Sequence, residues 1–239
     1  VVTDYGMGNQ KLAERIGSTM YVNALIVDSQ HTRSLAKIKH VHSLLATHNV
    51  VIATNIMTRP YLGWTADVIV VFNADSALQI PDFDTDRKQF YVLYELLTAH
   101  QTTNYIIQTH NPTHPVYQYL CALDLGGFDQ RNKVYMQTHD YPPYGELCLI
   151  SYKHQIEERL FGKINTLYQE LMYLREKIQS DIEIYATPPL IYKIYNTYRY
   201  HIILKGSKIR DFVDYAYRTL DIRSKGFRVD RKPVSLVGS

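Results

Sequence analysis

Apolar residues recur at three- and four-residue intervals from position 156 to position 178, as Ile156, Leu160, Ile164, Leu167, Leu171, Leu174 and Ile178, with charges on the other face. That period is the mark of a helix with one buried stripe, so the surrounding chain must supply a surface to cover it. Short apolar runs do so. Leu147 to Tyr152 reads as a strand before the helix, and Ile182 to Tyr185, His201 to Leu204 and Phe227 to Val229 read as strands after it. Ile209, Phe212, Val213, Ala216, Tyr217 and Leu220 stripe a second helix. The order β-α-β-β-α-β predicts a smaller α+β domain on a split ferredoxin-like plan, with helices over one face of an antiparallel sheet.

The first half follows a different rule. Tyr21 to Val27, Val50 to Thr54, Val68 to Phe72 and Tyr105 to Thr109 are apolar runs separated by helix-like segments, Ser34 to Thr47 and Asp84 to Thr98. Leu35, Ile38, His42 and Leu45 carry the spacing in the first of these. Such alternation predicts an α/β layer of parallel strands buried on both faces and joined by crossover helices. After Pro115, Val116 to Leu125 reads as a short helix ended by Gly126-Gly127, and a turn-rich stretch leads to Tyr141-Pro142-Pro143-Tyr144. Paired prolines cannot continue a helix and mark a domain entry. The expected division is therefore 1–115, a helical linker 116–143, and 144–239.

A composition of 46% hydrophobic and 21% charged residues fits a folded protein. With no apolar run long enough to span a membrane and no signal-like N-terminus, the expected compartment is the cytoplasm. Cys121 and Cys148 stand far apart, so buried free thiols are expected rather than a disulfide or a zinc cage. The opening on Val1 is read as that of a C-terminal piece of something longer. Residues 181 to 239 hold 11 Lys or Arg against 6 Asp or Glu, while residues 1 to 180 hold 15 against 17. This asymmetry points to a polyanion partner for the C-terminal part.

Several segments carry a specific text. Gly6-Met7-Gly8-Asn9-Gln10 opens a helix through glycines whose backbone N–H groups could approach a phosphate, although a plain turn reads the same way. Asp28 with Thr32-Arg33 follows the next strand, and Ile52-Ala53-Thr54-Asn55-Ile56-Met57-Thr58-Arg59-Pro60 follows the one after. Asn73-Ala74-Asp75-Ser76-Ala77-Leu78 and Gln108-Thr109-His110-Asn111-Pro112-Thr113-His114-Pro115 come next. Near the end stand Ala186-Thr187-Pro188-Pro189-Leu190, Tyr198-Arg199-Tyr200-His201-Ile202-Ile203-Leu204-Lys205-Gly206 and Asp230-Arg231-Lys232-Pro233-Val234-Ser235-Leu236. Together these resemble the second motor lobe and C-terminal domain of the PriA family of replication-restart DNA helicases, also called primosomal protein N-prime.

The resemblance implies a RecA-like parallel-sheet helicase lobe followed by the α+β domain. It makes Gly6 and Gly8 nucleotide-binding candidates and Thr54 and Arg59 DNA-phosphate candidates. It also implies DNA contact by Tyr198, Arg199, Tyr200 and Lys205, whose alternating rings and cations suit stacking on bases and neutralising phosphates, although aromatic strand residues also build cores. Lys208 and Arg210 lie closest to the basic residues that would hold the acidic tail of single-stranded DNA-binding protein.

One departure governs the chemistry. The family's Q-x-x-G-R-A-G-R segment is replaced by Glu95-Leu96-Leu97-Thr98-Ala99-His100-Gln101-Thr102-Thr103-Asn104. A guanidinium there would stabilise charge on the transferred phosphoryl, worth about 10³-fold or more, and neither Ala99 nor Thr102 can replace it. Arg87 stands at the start of a helix rather than its end. No G-x-x-x-x-G-K-S/T loop is present either. No catalytic residue is therefore assigned. ATP and magnesium would require a first lobe beyond this sequence, and zinc would require residues upstream of Val1. His110 and His114 shape a turn rather than a metal site, because the Asn111-Pro112 pair between them forbids a regular helix. The expectation is a DNA-binding and partner-docking module for forked or single-stranded DNA and other restart primosome proteins. The alternative is the C-terminal half of an active ATP-dependent helicase, and a third reading is a scaffold that binds restart proteins without DNA.

Overall fold

A computed structural model describes residues 8–27, 35–54, 65–99 and 104–237. The architecture is mixed α/β with small parallel and antiparallel sheets. Two compact units divide it, Val1–Gln79 with Asp86–Leu125, and Ile80–Thr85 with Gly126–Ser239.

The N-terminal unit is built from two β-α-β repeats. Helix α1 (Asn9–Met20) ends on Tyr21, which adopts a left-handed φ of 54°, so strand β1 begins at Ala24 rather than at Tyr21 as the apolar run implied. β1 (Ala24–Val27) pairs in parallel with β2 (Val50–Ala53), Ala24 opposite Val50, through the crossover helix α2 (Leu35–Leu45). β3 (Val68–Val71) pairs in parallel with β4 (Asn104–Ile107), Val68 opposite Asn104, through α3 (Asp75–Leu78) and α4 (Thr85–Ala99). Parallel neighbours need such crossovers. The expectation of strands buried on both faces is not met: Val68, Val70 and Ile106 are 47%, 57% and 54% exposed. Among the described residues each sheet has only two strands.

Helix α5 (Pro115–Cys121) is capped by His114, whose Nδ1 accepts the Val116 N–H at 3.3 Å, with Pro115 in the first turn where its missing N–H costs nothing. It ends at Ala122, and Leu123 follows in the left-handed region at φ 50°. Gly126 and Gly127 therefore do not terminate it. They lie in the first turn of a further helix, α6 (Leu125–Thr138), where turns were expected. Cys121 is exposed, against expectation, and Cys148 is buried with its thiol pushed up to about 12 by that burial.

The C-terminal unit has the expected element order. β5 (Glu146–His154) leads to α7 (Glu157–Lys177), β6 (Glu183–Thr187), a two-residue β7 (Lys193–Ile194), β8 (Thr197–Gly206), α8 (Ile209–Leu220) and β9 (Arg228–Asp230). The sheet runs β6-β8-β5-β9, antiparallel throughout, with β7 against the start of β8. At the entry to β5 the chain passes so close to Asp140 that a Cβ on Gly145 would sit 2.1 Å from its carbonyl oxygen, so only glycine fits.

The stripe on α7 becomes the core. Leu160, Ile164, Leu167, Leu171 and Leu174 are buried, while its two ends, Ile156 and Ile178, cap the helix and stay exposed. Glu157 and Glu158 in the first turn and Arg175 and Lys177 in the last complement the helix dipole. Ile150, Ile202 and Leu204 from the sheet and Phe212, Val213 and Ala216 from α8 complete one cluster. On the opposite sheet face Leu149 and His201 are also buried, and the His201 Nδ1–H donates to the Leu236 carbonyl at 3.2 Å. Leu236 in turn donates its N–H to Asp82.

Candidate nucleic-acid interface

Strand alternation decides what β8 can offer. Residues facing each other across the β5–β8 ladder share a face, so Tyr198, Tyr200, Ile202 and Leu204 lie on the helix side and Arg199, His201, Ile203 and Lys205 on the other. Tyr200 packs against the core and sets its ring edge-on to Phe161 at 5.4 Å. Tyr198 accepts a hydrogen bond from Lys193 Nζ at 3.0 Å, with that ammonium 4.4 Å from its ring centre. Arg199 donates from its guanidinium to the Ile191 carbonyl at 2.8 Å. Lys205 pairs with Glu183 at 3.4 Å and lies over the Tyr141 ring at 5.3 Å. The rings and cations that alternate in sequence thus sit on opposite faces and form no common platform.

The other sequence candidates are dispersed. Lys208 is the N-cap of α8 and Arg210 lies in its first turn; both are exposed, and the Arg210 backbone N–H donates to Glu146 at 3.2 Å. Thr54 is exposed just past β2, its N–H directed at the Val27 carbonyl at 3.4 Å. Gly8 caps α1 at an ordinary φ of −60° with open space where a side chain would go, so the backbone there does not require glycine. Gly6, Arg59, Asp28, Thr32 and Arg33 lie outside the described residues.

A surface that the sequence did not single out has the chemistry sought on β8. Tyr152 and Phe227 meet at 4.8 Å between ring centres, and His154 stacks beyond Tyr152 at 6.4 Å. Facing these rings, Arg159 and Lys163 stand one turn apart on α7, and Lys225 comes in from the loop before β9. The cleft they bound holds about 570 Å³. Lys225 is held by both oxygens of Glu170, at 2.7 and 2.9 Å, while Arg159 and Lys163 are exposed. Phe227 is buried and Tyr152 half-buried against the core, so these rings floor the groove, while the exposed Arg159 and Lys163 at its edge can neutralise phosphates. The sequence signal was the Arg159/Lys163 spacing alone; Phe227 and Lys225 arrive from a segment remote in the chain. On the other side of Gly162 a second cleft of about 650 Å³ is lined by Phe161, Tyr168 and Tyr200 with no charged side chain.

In the N-terminal unit the two most distinctive segments are stitched together. Ala74 N–H donates to the Gln108 carbonyl at 3.0 Å, and Asn73 N–H donates to the Gln108 side-chain oxygen at 2.9 Å. Asp75 accepts from the Thr109 hydroxyl at 2.6 Å, the His110 N–H at 2.6 Å and the buried Tyr117 hydroxyl at 3.0 Å. Burial pushes the Asp75 carboxyl up, but the three donors outweigh it and hold the group below its ordinary value. Burial and the adjacent carboxylate together push Tyr117 strongly up. The node is structural, and it explains why this text spans two distant segments. Among the described residues, no group of His, Cys, Asp and Glu could hold a metal ion, and no helix is long and apolar enough to cross a membrane.

No family model matches the chain. Among curated proteins it is 22% identical, over 98% of its length, to the replication restart protein PriA of Bacillus subtilis. It is 22% identical over 85% to that of Chlamydia pneumoniae, and 23% over 85% to that of Borreliella burgdorferi. The resemblance read from short motifs therefore extends over most of the chain. The chain spans 30%, 28% and 32% of those relatives' own lengths.

Proposed function

We propose that this chain is a DNA-binding and partner-docking part of a PriA-like replication-restart protein, acting in the cytoplasm and without ATP turnover of its own. The observation that carries the reading is the groove in which Arg159, Lys163 and Lys225 face Tyr152 and Phe227. In this reading the N-terminal unit is a RecA-like second lobe, supported by its parallel β-α-β repeats, and the C-terminal unit is a split ferredoxin-like domain, supported by the order β6-β8-β5-β9. The groove takes single-stranded or forked DNA. Thr54, in the N-terminal unit, is by itself a further phosphate-contact candidate. Lys208 and Arg210, both exposed, receive the acidic tail of single-stranded DNA-binding protein, and other restart proteins dock alongside.

ATP and magnesium would need a first lobe beyond this sequence, because the sequence given holds neither a phosphate loop nor the arginine-bearing segment. A second reading, the C-terminal half of an active helicase, is favoured by the length of the relatives, about three-tenths of which this chain spans. DNA-stimulated ATPase activity of the complete parent protein separates the two. The DNA reading itself is tested by titrating forked and single-stranded DNA across a salt series. Affinity is expected to fall steeply with salt, and changing Arg159 and Lys163 to Ala should lower the log–log slope by about 1.4. Absent or salt-independent binding overturns it.

A further inference from the structure

The link from β7 to β8 is a two-residue turn, Tyr195-Asn196, between the paired residues Ile194 and Thr197. Both central residues adopt positive φ, 43° and 57°, as a type I′ turn requires. Asn tolerates that region, but a tyrosine there is strained. Packing within the unit does not offset the strain, because the Tyr195 ring is 98% exposed.

The hairpin beneath the ring is braced. The Tyr192 hydroxyl donates to Glu157 on α7 at 2.8 Å, Lys193 is held by Tyr198, and the Arg199 guanidinium and N–H donate to the Ile191 and Tyr192 carbonyls at 2.8 and 2.9 Å. A rigid support under an exposed, strained ring is the arrangement expected of a contact made with something outside the unit. Charge indicates what that is. Lys153 lies opposite Arg199 and His154 opposite Tyr198 in the β5–β8 register, so Lys153 and Arg199 flank the hairpin end on the face away from the helices, and Lys193, over the Tyr198 ring, and Arg159 on α7 flank it on the helix face. Glu157, in the first turn of α7, accepts from Tyr192. His154 also lines the basic cleft, which makes hairpin and cleft neighbours.

We infer that the β7–β8 hairpin is a base-stacking finger, with Tyr195 laying its ring on an unpaired base of DNA whose backbone is held by the surrounding cations. The assignment rests on the DNA-binding reading and adds to it a residue and a preference for unpaired over fully paired DNA. A ring on a rigid tip gains stacking only where a base face is open, and a blunt duplex offers such faces only at its ends.

The test measures binding of the full chain to a fork with unpaired arms and to a covalently closed circular duplex, which has neither ends nor unpaired bases. Tyr195→Ala is expected to weaken fork binding roughly tenfold, as loss of one base–aromatic stack implies, and to leave duplex binding unchanged. Tyr195→Trp should retain fork affinity, and its added emission should be quenched by the fork but not by the duplex. Tyr195→Gly, relieved of strain, should melt no lower than the parent yet bind the fork as weakly as the alanine variant, so that the loss cannot be assigned to unfolding. Unchanged fork affinity in Tyr195→Ala overturns the inference and leaves the tip to a protein partner. Equal weakening toward fork and duplex overturns it too. If Arg159→Ala with Lys163→Ala reduces binding while Tyr195→Ala does not, the DNA reading stands and the finger falls. Failure of the parent itself to bind either DNA overturns both.

Discussion

The N-terminal unit spreads its Val and Ile residues over two separate parallel strand pairs, and Val68, Val70 and Ile106 are left about half exposed. The C-terminal unit concentrates the same residue types into one sheet with two helices on a single face, and Ile150, Ile202 and Leu204 are fully buried there. The contrast follows from the connections. In the C-terminal unit β8 pairs with both β6 and β5, and β9 adds to β5, so one sheet gathers every strand and α7 and α8 cover one face of it, whereas each parallel pair of the N-terminal unit stands alone with its own crossover helix. What holds the N-terminal unit at its most distinctive text is a polar node on Asp75, and what holds the C-terminal unit is area removed from water. The node depends on its own protonation state; area removed from water does not.

Core truncation should separate the units most sharply. Leu171→Ala is expected to cost about 2–5 kcal/mol, and Val70→Ala, at a half-exposed strand position, within about 0.5 kcal/mol. Denaturant melts of both variants check this, and comparable losses would break the comparison.

Asp75→Asn comes next. It removes a carboxylate that accepts from three donors and should destabilise the N-terminal unit by about 1–3 kcal/mol. Because the folded-state carboxyl lies below its ordinary value of 3.8, its stabilisation is present above that pH and is lost as pH falls below it. Hydrogen exchange along β3 and β4, followed through that range, should therefore show an acid-dependent opening in the parent that Asp75→Asn abolishes.

The smallest effect is expected at His201. Burial first of all, with Arg199 nearby, holds its ring below the ordinary value of 6.5 despite the bond to Leu236. The folded unit disfavours the charged ring, so stability is greatest above 6.5 and declines as pH falls through and below it. His201→Gln should flatten that decline in melts of the C-terminal unit between pH 7 and 5; an unchanged slope would assign it elsewhere.

Much of the fold was legible because its signals are local. The α7 stripe needed only residues three and four apart, and the structure buries its inner members while leaving Ile156 and Ile178 as caps. Helix α6 was missed because Gly126-Gly127 reads as a stop, although the first turn of a helix accepts glycine at modest cost. The β7–β8 hairpin was missed because Tyr195-Asn196 lacks the Asn-Gly text of a type I′ turn. The basic cleft was illegible for a different reason: Tyr152, Arg159 and Phe227 meet only once β5, α7 and the approach to β9 are packed.

By itself, then, the sequence determined most of the helices and strands, the mixed α/β class, and the likeness to PriA, because periodicity and motif text are properties of near neighbours. Only the tertiary structure decided which side chains share a surface. It split Tyr198 and Tyr200 from Arg199 and Lys205 across the two faces of β8, and it brought Phe227 and Lys225 to Arg159 and Lys163. A strand turns each successive side chain to the opposite face, and register and packing across distant segments choose the partners on each.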